Sequence, residues 1–70
     1  MTAQELGAAT ASEMVREASA EMQCSQSAAA RHLLEKGFGT WVWPDGLTSD
    51  QVTWCQISAA QMLWAMLEAV

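Results

Sequence analysis

The sequence predicts an all-α protein, and three observations lead there. Apolar residues recur at helical spacing in separate stretches. Those stretches open on serine or threonine caps, and turn-forming residues divide them. The 70 residues make one small domain, 1–70. It is organised as a two-helix hairpin, a tryptophan-bearing turn or short strand, and a long C-terminal helix. A chain this short buries only about 60% of its unfolded surface, so a homodimer is the expected way to stabilise it.

The first helix is placed at Thr10, where "TASE" has capping-box spacing: the Thr10 hydroxyl accepts a hydrogen bond from the Glu13 amide and the Glu13 side chain returns one. Met14, Val15, Ala18 and Met22 then follow as one apolar stripe. Glu13, Glu17 and Glu21 line the next face at i, i+4 and i+8. Like charges at that spacing cost a few tenths of a kcal/mol per pair, and Arg16 relieves them only in part. The stripe is either solvated surface or a docking face for a basic partner. "CSQS" breaks the helix. Ser25 or Ser27 caps the second helix, whose inward side is Ala29, Ala30, Leu33 and Leu34. Lys36 suits the negative end of its dipole, and Gly37 ends it.

The segment "FGTWVWPDGLTSD" is the least regular. Pro44, Asp45 and Gly46 have turn chemistry, and an extended backbone would point Trp41 and Trp43 the same way. These two indoles, with the glutamate stripe, are the expected partner-binding residues, because tryptophan is prominent among interface anchors. The third helix opens at Thr48 with "TSDQ", a second capping-box spacing. One seam runs Val52, Cys55, Ala59, Met62, Met66, Ala69, and another runs Ile57, Ala60, Trp64, Leu67. A helix apolar on nearly all sides is a buried one. The expectation is that one seam packs on the hairpin and the other meets a second chain. Val52, Ala59, Met62, Trp64 and Met66 are the expected dimer residues.

Residues 10–38 resemble the helical pair of ribbon-helix-helix regulators of the Arc, MetJ and CopG type. The likeness lies in the Ala18–Met22 helix end, the "SQS" turn and "RHLLEKGF". The stretch before the first helix stands where that family's DNA-reading strand would be. "SQSAAARHL" is also similar to a helix-turn-helix reading helix, although Gln23 stands where that turn expects glycine. Either resemblance implies a small dimeric transcription regulator or antitoxin, with Gln26, Ser27, Arg31 and His32 as the nucleic-acid-binding residues.

Charge argues the other way. The chain carries three Lys and Arg against eight Asp and Glu, a net −5. DNA binders typically neutralise about 6–10 phosphates. A dimer here brings six basic residues, scattered at 16, 31 and 36, against sixteen acidic ones, and its field would repel a duplex unless the basic residues clustered. Cys24, His32 and Cys55 match no zinc spacing. No nucleophile with its base and no phosphate-cradling glycine loop is present, so neither catalysis, metal nor cofactor is expected. The longest apolar run, Met62–Leu67, is far short of the ~18 residues of a membrane span. The start has no signal-peptide pattern, which gives a cytoplasmic expectation. In size and acidity the chain is similar to small inhibitor proteins of phages and other mobile elements. The expected function is therefore non-enzymatic: binding another protein, a basic or nucleic-acid-binding one being the candidate the acidic stripe suggests, and inhibiting or regulating it.

Overall fold

The computed structural model describes residues 2–68 and contains three helices: α1 (Ala3–Met22), α2 (Gln26–Lys36) and α3 (Ser49–Glu68). Among the described residues there is no strand.

The first helix begins seven residues before the expected Thr10. Thr2 is its cap, in extended backbone, and its hydroxyl accepts the Glu5 amide at 3.1 Å. "TAQE" and "TASE" share one spacing, so local chemistry alone cannot choose between them. Packing chooses. Leu6 and Gly7 extend the inward stripe toward the N-terminus, and burial there outweighs a start at Thr10. The segment expected in the place of a strand is consequently helical, with Thr10 inside the helix. Thr2→Ala should lower stability by about 1 kcal/mol. Thr10→Ala should stay within about 0.5 kcal/mol, since it removes no cap. Urea unfolding of the two variants checks the assignment, and a larger loss at Thr10 would reverse it.

At its far end α1 stops on Gln23, a non-glycine residue in the left-handed region (φ 51°). Local hydrogen bonds hold it there. The amides of Gln23 and Cys24 both donate to the Ser19 carbonyl, and the Ser19 hydroxyl donates to the Cys24 carbonyl at 2.6 Å. Ser25 then caps α2 by accepting the Ala28 amide at 3.1 Å. Gly37, at φ 77°, ends that helix. The capping box before α3 is reciprocal. The Gln51 amide donates to the Thr48 hydroxyl at 3.2 Å, and the Thr48 amide donates to the Gln51 side chain at 2.8 Å.

The core follows from three short ladders. Gly7, Ala11 and Val15 step by four along α1, as Cys55, Ala59 and Leu63 do along α3. Ala29, Ala30 and Leu33 come from α2, and all nine are buried. Small residues let helix axes approach closely. At Gly7 the approach is backbone to backbone: a β-carbon there would collide with the Cys55 carbonyl oxygen and lie 3.0 Å from its α-carbon. The Ser58 hydroxyl donates to the Gln4 carbonyl at 2.6 Å beside this crossing.

The 37–48 segment is an irregular loop that folds inward. Trp41 is only 8% exposed and Val42 is 88% exposed. Trp43 returns to pack against the core. Phe38 meets Trp41 edge-on with centroids 4.7 Å apart, and Trp41 lies 5.8 Å from Trp43. Trp41 and Trp43 do point the same way, but toward the protein. The seams of α3 also divide differently from expectation. Ala59 is fully buried within the subunit, which leaves it no surface for a second chain, and Met62 and Met66 pack against the same core. Val52 is half-buried. Leu63, in neither expected seam, is the largest fully buried side chain. Ala69 lies outside the described residues.

Candidate functional site

Two surfaces stand out, one acidic and one uncharged. The first is a groove of about 170 Å³ between α1 and α2. Met14, Ala18, Met22 and Leu33 give it an apolar lining, while Glu17 and Glu21 line its α1 side. His32 and Lys36 face them from α2. Met22 is largely exposed. Glu13, Glu17 and Glu21 are all exposed, as the helical spacing requires. Glu21 sits in the last turn of α1, which has no basic residue. A carboxylate there opposes the helix dipole at a cost of a few tenths of a kcal/mol. Glu13 turns toward a neighbouring hollow lined by Arg16, Glu17 and Ala20.

The second surface is the outer face of α3. Residues 51–67 contain no charged side chain. Trp54 is 51% exposed, Ile57 41% and Trp64 58%. Gln61 completes a line at 54, 57, 61 and 64, the 3-4-3 spacing of a helix–helix seam. Trp64 also walls a groove of about 400 Å³ between α2 and α3, with Leu34, Leu67, Arg31 and Glu35.

The open indoles are thus on α3 and not in the loop. Trp41 and Trp43 were expected as interface anchors, but their rings serve the core, so only the glutamate half of that expected set is exposed. The Trp43 Nε1–H is buried without an acceptor among the described residues. Helix α3 hid this outcome because both of its seams are apolar. Composition cannot say which one faces out, and only the positions of α1 and α2 decide it.

The basic residues are dispersed. Arg16 lies on α1 beside Glu13 and Glu17, Arg31 in the α2–α3 groove beside Glu35, and Lys36 in the α1–α2 groove with Glu17 and Glu21. Gln26, Arg31 and His32 are exposed and Ser27 is half-buried, yet Arg31 and His32 line different grooves. Cys24 is half-buried at the α1–α2 turn and Cys55 is buried at the α1–α3 crossing. Among the described residues no three His, Cys, Asp or Glu side chains gather where a metal would bind. Nor is any described helix long and apolar enough to cross a membrane.

No family model, curated protein or solved structure matches the chain.

Proposed function

We propose that this chain is a non-enzymatic interaction protein: a homodimer that binds a partner protein and thereby inhibits or regulates it. The observation that carries the reading is the α1–α2 groove, where exposed methionine and a glutamate wall occur together. Methionine is flexible and polarisable, and suits surfaces that accept varied apolar side chains. Glutamates beside it select for positive charge. Together these features fit an amphipathic helix with a basic rim, laid apolar face down. The glutamates also repel one another and Glu21 opposes the helix dipole, costs that a basic partner would offset.

A DNA-binding regulator would need Arg16, Arg31 and Lys36 on one face. They lie in three separate hollows, each with a carboxylate beside it, so the protein-binding reading is preferred.

A fluorescently labelled amphipathic peptide of Leu and Lys should bind, with affinity falling as salt rises. A peptide with the same apolar face and Glu in place of Lys should not. Glu17→Lys combined with Glu21→Lys should weaken binding at least tenfold, chiefly through slower association, without loss of helical circular dichroism. Equal binding of both peptides, or indifference to the double reversal, would remove the groove from consideration.

A further inference from the structure

We infer that the uncharged outer face of α3 is closed by a second copy of the chain. The two α3 helices run antiparallel, and Trp54 of each subunit enters the Arg31–Leu34–Trp64–Leu67 groove of the other. This rests on the homodimer reading above and specifies its contact.

The argument begins with symmetry. The spacing 54, 57, 61, 64 reads the same in both directions, so an antiparallel copy can be laid on it in register. Trp54 then meets Trp64 of the partner subunit, and Ile57 meets the partner's Gln61. Azimuth agrees with spacing. At 3.6 residues per turn, Ile57 and Gln61 fall on either side of the stripe's midline, and Trp54 and Trp64 fall further out on opposite sides. Trp64 is on the α2 side, where it lines the groove. A twofold axis through the midline, level with residue 59, carries the second copy's Trp54 onto that same side and height. The incoming indole lands over the groove, and the exchange occurs twice. Such self-complementarity is what a two-fold interface requires.

Charge names the same occupant. Each chain carries −5, so two copies repel on most faces. Residues 51–67 are the longest uncharged stretch of the sequence, and this is where copies can approach. A basic partner would gain nothing there. Arg31 beside the groove can lie against the face of the incoming indole.

Sedimentation equilibrium at tens of micromolar should give twice the chain mass of 7.6 kDa. Association should strengthen with added salt, because screening relieves the repulsion; this is opposite to the basic peptide. Trp54→Ala and Trp64→Ala should each weaken the dimer at least tenfold while leaving the helical signal unchanged, since both side chains are exposed in the subunit. A short thiol cross-linker distinguishes the register. In a Cys24→Ser background, chains with Thr53→Cys mixed with chains carrying Ala65→Cys should join. Neither variant should join to itself, because like positions would lie about 18 Å apart along the antiparallel pair. A clean monomer overturns the inference and the dimer together. Self-linking of each variant overturns the antiparallel contact and leaves a dimer of another kind. Peptide binding by the Trp64→Ala monomer keeps the partner-binding reading alive in either case.

Discussion

Gly7→Ala is expected to destabilise the protein by about 1–2 kcal/mol net, although alanine is the better helix former. Two effects oppose each other at this site. Replacing glycine inside a helix gains about 1 kcal/mol from propensity. Against that, the new β-carbon meets the Cys55 backbone, which cannot rotate aside as a flexible side-chain tip can. Relief requires α1 and α3 to separate, opening the ladder of Ala11, Val15, Ala59 and Leu63. Overpacking typically costs 1–3 kcal/mol and occasionally more, so the clash wins. A chain of this length has roughly 4–10 kcal/mol of stability in all, and each lost kcal/mol lowers Tm by about 4–8 °C in so small a domain. Thermal unfolding should therefore show a drop on the order of 5–15 °C. Gly39→Ala is the control, because nothing lies within 4 Å of its would-be β-carbon; it should be neutral or slightly stabilising. An unchanged Tm for Gly7→Ala would mean that the helices do not cross this closely.

The second large effect is Leu63→Ala, expected to cost about 2–5 kcal/mol through lost burial and the cavity left behind. Leu63 is the largest fully buried side chain, and no polar or charged residue is buried among the described residues. The informative comparison is one residue away. Trp64→Ala removes a larger side chain, yet more than half of Trp64 is exposed. Chemical denaturation at concentrations where the chain is monomeric should find Trp64→Ala within about 0.5 kcal/mol of the parent. Equal losses at both positions would mean that α3 is rotated about its axis relative to the arrangement described.

That rotation marks the boundary of what could be read from the residues. The Thr48 cap, the Gly37 stop, the 45–46 turn and the alanine face of α2 are local chemistry and were legible, while the cap of α2 was legible only as Ser25 or Ser27. The start of α1 was not, because two equivalent T-x-x-E sequences compete and only tertiary burial of Gly7 separates them. Nor was the outward face of α3. Its two apolar seams differ little in composition, so Leu63 and Trp64 trade places in meaning with a small turn of the helix. The glutamate stripe needed only the helical period. The groove beside it needed Met22 at the end of α1 to meet His32 and Lys36 on α2, a juxtaposition set by the tightness of the Gln23–Ser25 turn.

The hydrogen bond from Ser58 to Gln4 joins positions 54 residues apart, and the most extensive helix contact is between the first and last helices. For a helical protein this places much of the core at high sequence separation, whereas helical bundles usually fold quickly because their contacts are local. The α1–α2 contact is the least extensive of the three helix pairs, so the hairpin has few contacts of its own without α3. Closing the chain onto it carries a loop entropy that must be met before the contacts of α3 contribute. The barrier to folding is therefore expected at the arrival of α3, with the hairpin alone expected to be unstable and the molecule expected to fold as one cooperative unit.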